Sequence, residues 1–275
     1  MQINKNLKFI IFCFIVFLSF DSHTDEGFSI SAVIETPQVE INGNADDPAI
    51  WFNEEDPSLS IVFGTDKYNG VYSYNLSGDV IGFSKSGSMN NIDLRTLNDN
   101  TYIFTTDSSN NTVNVWVYKN SYLHNKSKEG SFALDKIPHH TSKVNFLAYG
   151  LCGGLSKKDE VIIFVTEAKG PGVQLWKFDD LKLSLLNTFN NSNAYESEGC
   201  VYDDENNIFF ISEENKRGVI RSYSFLTGLV FGNEIIIDDR NGNIVGDPEG
   251  LAILKTSDSK GYLICLLYTS DAADE

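Results

Sequence analysis

The stretch Asn44-Ala45-Asp46-Asp47-Pro48-Ala49-Ile50-Trp51 decides how the rest of the chain is read. Two adjacent carboxylates precede a proline, and an apolar run follows. Pro48 fixes its own φ and pushes Asp47 towards extended backbone. The two acids therefore stand at the start of a strand, outside any helix. Successive strand residues point to opposite faces, so one carboxylate can face a site while the other braces it. A hard cation suits such a strand mouth, because it takes oxygen ligands at about 2.3–2.6 Å. Taken alone, the stretch reads equally as an Asp-Pro turn with a solvated acid pair. The balance is tipped by acidic strand starts of related form further down the chain.

Beyond Trp51 the sequence is strand after strand with almost no helical pattern. Aromatic and β-branched residues cluster in short runs bounded by Gly, Asn, Asp and Ser. Ile61–Gly64, Gly70–Tyr74 and Val80–Phe83 come first, then Tyr102–Phe104 and Val113–Tyr118. Val161–Val165, Gly172–Phe178, Ile208–Ile211 and Gly218–Phe225 follow. The runs group in fours, and Asp47, Asp93, Tyr149, Glu198 and Glu249 occupy equivalent first-strand positions roughly every 50 residues. Four strands per unit at that period predict an all-β fold, a β-propeller, with four complete blades and the start of a fifth. A β-sandwich with coincidental spacing is the alternative. First strands line the channel of a propeller, so acids distant in sequence become one cluster at its mouth. Phe28–Ile34 alternates and precedes blade one, which makes it the expected ring-closing strand.

The formal net charge is −17. An acidic domain binds nucleic acid poorly, and it repels a polyanionic ligand unless divalent cations intervene. Residues 1–22 read as a secretory signal. Lys5 and Lys8 precede an apolar core, Phe9–Leu18, that is too short for a comfortable bilayer span. The expectation is a secreted or periplasmic monomer with its folded domain at 28–264. Residues 265–275 end in Thr-Ser-Asp-Ala-Ala-Asp-Glu and resemble translated sequencing-adapter sequence, so they are read as a non-native tail. Cys152 and Cys200 can pair in an oxidising compartment, although two small buried apolar residues is the simpler reading.

Carboxylates gather at blade starts. Asp46 and Asp47 open blade one, Glu198 opens blade four, Glu214 ends that blade's second strand, and Asp247 and Glu249 open blade five. Converging carboxylates repel one another unless cations neutralise them. Every donor is oxygen, with no Cys/His spacing of zinc type, so several Ca2+ ions fit best, with Mg2+ or Mn2+ behind. Lys67, Arg95 and Lys169 add cations to the same rim, and Tyr149 adds a phenol. Such a rim suits a phosphate-bearing ligand. Each has a plainer role open to it: solvated turn lysines for Lys67 and Lys169, an ion pair with Asp93 or a neighbouring acid for Arg95, and core packing for Tyr149.

These motifs, Ala45–Trp51, Asn90-Asn91-Ile92-Asp93-Leu94-Arg95, Glu198-Gly199, Ser212-Glu213-Glu214 and Asp247-Pro248-Glu249-Gly250-Leu251, resemble those of the β-propeller (alkaline) phytases. The resemblance runs from about Phe28 to Ile264, roughly two thirds of a six-bladed member. It implies calcium-dependent hydrolysis of phosphate monoesters on inositol hexakisphosphate (phytate), a small-molecule substrate. It matches Asp47, Glu198, Glu214, Asp247 and Glu249 to calcium-binding acids, with Glu198 and Glu249 expected to serve catalysis. It matches Lys67, Tyr149 and Lys169 to groups that hold substrate phosphates. The family's blade-two arginine falls on Asp107-Ser108-Ser109, and the acid that often follows the blade-three lysine is Gly170. The Arg-His-Gly motif of histidine acid phosphatases is absent. A single-metal propeller lactonase and a non-catalytic ligand-binding propeller are the competing readings.

Overall fold

In every sheet the strands pair antiparallel with their sequence neighbours. The computed structural model describes residues 31–39, 43–179, 182–225, 234–241, 244, 246–257 and 260–268, and all the strands lie in a compact unit that starts at Ile34. Blade one is β1 (Ala45–Trp51), β2 (Ile61–Asp66), β3 (Gly70–Tyr74) and β4 (Val80–Ser84). Blade two is β5 (Met89–Leu97), β6 (Asn100–Asp107), β7 (Thr112–Lys119) and β8 (His140–Lys143). A helix, α1 (Asn120–Lys128), interrupts that blade between its third and fourth strands. Blade three is β9 (Ala148–Leu155), β10 (Val161–Glu167), β11 (Gly172–Phe178) and β12 (Leu183–Asn190). Blade four is β13 (Ser197–Asp203), β14 (Ile208–Glu213), β15 (Ile220–Ser224) and β16 (Ile235–Asp238). A fifth sheet holds β17 (Asp247–Ser257) and β18 (Lys260–Tyr268). The fold is the expected all-β propeller.

Blades stack through apolar faces. Phe63 and Trp51 of blade one pack with Ile92, Ile103 and Trp116 of blade two, all buried. Between blades three and four the Phe164 and Phe209 rings stack at 4.2 Å. Such a pair adds about 0.5–1.5 kcal/mol beyond the area it buries.

The detail that shapes the site is a β-bulge repeated in all five first strands. Ala45 pairs with Asp66 and Pro48 with Gly64, so Asp46 and Asp47 together face Thr65. In the same way Asn90-Asn91 face Thr106, Tyr149-Gly150 face Thr166, Glu198-Gly199 face Ser212 and Glu249-Gly250 face Leu266. A bulge bends its strand and re-aims a side chain. Here it re-aims one side chain per blade, those of Asp46, Asn90, Tyr149, Glu198 and Glu249.

In blades one to four the residue opposite the bulge ties that blade to the next. Thr65 Oγ1 donates to the Asn90 carbonyl at 2.7 Å, Thr106 Oγ1 to Tyr149 O at 2.5 Å, Thr166 Oγ1 to Ser197 O at 2.5 Å, and Ser212 Oγ to Glu249 O at 2.6 Å. Asn90, Tyr149 and Glu249 are bulge residues without a ladder partner of their own, and the neighbouring hydroxyl satisfies their carbonyls.

Four expectations change. The equivalents of Glu198 in blades one and two are Asp46 and Asn90, where Asp47 and Asp93 were expected. Asp93 lies three residues further along β5, roughly 10 Å at strand rise. Of the expected ring-closing strand, residues 28–30 lie outside the described residues, and Ser31–Ile34 are exposed and in no strand. The strand expected to stop at Ile264 continues through Tyr268; the signal-like residues 1–22 and residues 269–275 lie outside the described residues. Cys152 and Cys200 form a disulfide, with Cα atoms 5.7 Å apart. The sequence could not place these two on facing strands of adjacent blades.

Candidate metal centre

Glu198 and Glu249 arrive from bulges, and Glu214 from the residue after β14. Each offers a carboxylate oxygen within 4.8 Å of the other two. Glu198 is buried, and the other two are half-buried. Tyr149, from the blade-three bulge, donates its hydroxyl to Glu214 Oε2 at 2.9 Å. Asn90, from the blade-two bulge, donates its amide to Glu198 Oε1 at 3.3 Å. Lys67 follows β2 and places Nζ 3.0 Å from Asp46 and 3.8 Å from Glu198, with the ammonium 5.7 Å from the centre of the Tyr149 ring. Of these groups Asp46, Glu198 and Glu249 line a cavity of about 750 Å³, which Arg95 and Asp204 also line.

Asp46, Asp47 and Asp247 stand outside the three-carboxylate group. Asp46 is engaged by Lys67. Asp47 Oδ2 accepts the Ile92 N–H at 3.0 Å, so this acid of the pair is the one that braces the wall. Asp247 sits at the start of β17, two residues before Glu249. Lys169 is exposed, in the turn after β10, with φ 59°.

Arg95 lines the same cavity as Asp46, Glu198 and Glu249 and makes the ion pair that its spacing from Asp93 allowed. Its guanidinium is held by Asp93 at 3.0 Å and Asp204 at 3.1 Å. Asp93 in turn accepts the Gly153 N–H and Asp204 the Leu155 N–H. The trio fastens blades two, three and four to one another. Burial disfavours the Arg95 charge, but Asp93 and Asp204 outweigh it. An arginine with both flanks filled has no fork left for a phosphate.

The acids carry the electrostatic signature of a cation site. Burial, then the charges of Asp46 and Glu214, pushes Glu198 up to about 9, against the pull of Lys67. Burial raises Asp47 to about 8, opposed by the Ile92 hydrogen bond. Burial also raises Glu214, with the Tyr149 hydrogen bond opposing it. Glu249 is raised by burial and then by Glu214 and Asp46. For Lys67 burial works downward, yet Asp46 and Glu198 raise it overall. An oxygen-only donor set in which acids resist ionisation fits a hard divalent cation such as Ca2+.

A stability trend follows. Acids whose pKa is raised by folding bind more protons folded than unfolded, so stability falls as pH rises between the two values. Without metal, the melting temperature should fall from pH 4.5 to about 9 as Glu198 ionises, with Asp47 adding a fall from pH 3.8 to about 8. Asp66 and Asp203, both lowered, act in the opposite sense but only below their ordinary value of 3.8. Thermal melts in chelator across pH 4–9 check this, and calcium should flatten the slope. A metal-free curve that rises across that range would contradict the proton-holding cluster.

Asn90 carries no charge, and the nearby carboxylate of Asp93 is the stronger sequence signal on that strand. A usable signal was present: a polar residue followed by Gly, or a doubled Asp or Asn, at each first strand.

The chain resembles known proteins at two levels. A protein-family profile described as Phytase matches residues 11–272. A 3-phytase of Bacillus subtilis (strain 168) is 26% identical over 251 residues, covering 86% of this chain and 63% of that protein. The chain therefore spans about 63% of the length of this curated relative. Among solved structures, a gluconolactonase from Xanthomonas campestris superposes with a TM-score of 0.51 at 10% identity, covering 80% of this chain and 69% of that one; this likeness concerns the fold alone. A dihydro-heme d1 dehydrogenase gives a TM-score of 0.45 at 12% identity, over 70% of this chain and 38% of that one.

Proposed function

Because this chain belongs to the phytase family, we propose that it hydrolyses phosphate monoesters of phytate with Ca2+ held by Glu198, Glu214 and Glu249, and with further ions served by Asp46, Asp47 and Asp247. The observation that carries this reading is the meeting of three carboxylates within 4.8 Å beside a lysine and a tyrosine. Calcium, when bound, neutralises these acids and polarises phosphoryl oxygens.

The chain's own groups divide the remaining work. The Tyr149 hydroxyl fixes the orientation of Glu214 through Oε2. Lys67 sets a positive charge at the mouth, where charge develops on transferring phosphoryl oxygens. Lys169, exposed in its turn, is available to a second phosphate of the same substrate. Glu198 and Glu249 are the acids placed to take a proton from the attacking water at a carboxylate oxygen. In-line attack by water on phosphorus gives phosphate and an inositol alcohol, with no enzyme ester.

Secretion belongs to the same reading. It is supported by the signal-like residues 1–22 and by the Cys152–Cys200 bond, which persists in oxidising compartments. The protein is read as a monomer that takes a small polyphosphate ester.

The test is phosphate release from calcium phytate by the purified protein, with and without chelator. Release that stops with chelator and returns with calcium is the expected result. Chelator-insensitive release would refute the metal's role. A melting temperature raised by calcium with no release would favour a non-catalytic binding propeller.

A further inference from the structure

Cys152 and Cys200 do more than join two blades; their place in the chain links them to the acid cluster. Cys200 is two residues past Glu198, at the point where the blade-four bulge ends and pairing resumes against Ile211. Cys152 is three residues past Tyr149, just beyond the blade-three bulge, opposite Phe164. Both are buried, at 2% and 7% exposure, and both border the cavity that holds the acids. The bond therefore grips two first strands immediately below their bulges.

The strands have little freedom above that grip. A Cβ on Gly150 would lie 2.0 Å from the Glu198 carbonyl, so the two backbones already touch. Thr166 Oγ1 holds the Ser197 carbonyl from blade three. A covalent tie two residues from Glu198 adds to this grip without placing another charge or polar group at the mouth.

We propose that the Cys152–Cys200 disulfide is a positioning pair for Glu198, holding it in register with Tyr149 and Glu214 so that the cluster's cation affinity depends on the bond. This rests on the cation-binding reading above. A site of this kind needs its donors held within about 0.5 Å, and loss of supporting contacts typically costs a metal site about 10–100-fold in affinity.

Terbium is a suitable probe, since the Tyr149 phenol bonded to Glu214 can sensitise its luminescence. The full chain, a Cys152→Ala/Cys200→Ala variant and a volume-filling Cys152→Ala/Cys200→Val variant are titrated with Tb3+ at a temperature where each is folded. Phe225→Leu serves as the control, because Phe225 packs in the same interface between blades three and four but touches neither first strand's bulge. The expected result is an affinity loss of about 10-fold or more in both disulfide variants and little change in the control. Wild-type affinity in the disulfide variants, or an equal loss in Phe225→Leu, overturns the proposal and leaves the bond a staple. If the wild-type chain itself binds neither Tb3+ nor Ca2+, the cation reading fails first, and the proposal falls with it.

Discussion

Glu198→Gln should act in opposite directions on stability and on activity. In chelator at pH 8 the variant should be more stable than the parent. Glu198 is pushed to about 9 by burial and by neighbouring acids, so the fold suppresses an ionisation that the unfolded chain completes near pH 4.5. Each unit of displacement corresponds to about 1.4 kcal/mol. Sharing with Glu214 and Lys67 reduces the sum, and a gain on the order of 2–4 kcal/mol is expected. For a domain of this size that is a melting temperature higher by about 5–10 °C. Turnover of calcium phytate should fall roughly 100-fold or more, the scale of losing one preorganised group at a charged transition state. Thermal melts in chelator and phosphate release in calcium give the two readings. A Glu198→Gln protein that melts below the parent without metal, or keeps its turnover with metal, would remove the cluster from the account.

Gly199→Ala should be severely damaging for a single added methyl. A Cβ there would sit 1.7 Å from the Glu249 carbonyl of the next blade. That distance leaves no room for adjustment by side-chain rotation, because the obstacle is backbone. Blade five would have to shift, taking Glu249 with it and breaking the Ser212 hydrogen bond to the same carbonyl. The expected cost is about 3 kcal/mol or more, at the upper end for overpacking, together with weakened cation binding. Gly250→Ala is the matched comparison. It belongs to the next bulge, yet a Cβ there would meet nothing nearer than 3.7 Å, and its effect should stay within about 1 kcal/mol. Denaturant melts of both variants decide this, and equal losses at the two positions would argue against blade-to-blade contact as the cause.

The blade count was legible because its signal is redundant. Four strands per unit, an aromatic in each third strand and polar strand starts all repeat, and several must fail before the period is lost. Glu198 and Glu249 stand out in the sequence for a narrower reason, namely that each precedes a glycine, as Tyr149 does. Arg95 shows the limit. Its spacing from Asp93 was visible, but Asp204 reaches it from blade four, and a partner so distant in sequence decides whether the guanidinium is free. The disulfide was hidden for the same reason. Asn90 was passed over because its role comes from where the strand kinks, and a kink in register leaves only a faint mark on composition.

The five kinks carry an implication for how such a mouth can change. Backbone shape at each is maintained by its partner strand, and by a hydroxyl in four of the blades, while the outward-turned side chain is Asp, Asn, Tyr, Glu or Glu. Scaffold and reagent are thus written in separate letters. A single codon can re-equip one socket while the ring around it keeps its form, so new chemistry can be sampled blade by blade at small structural risk.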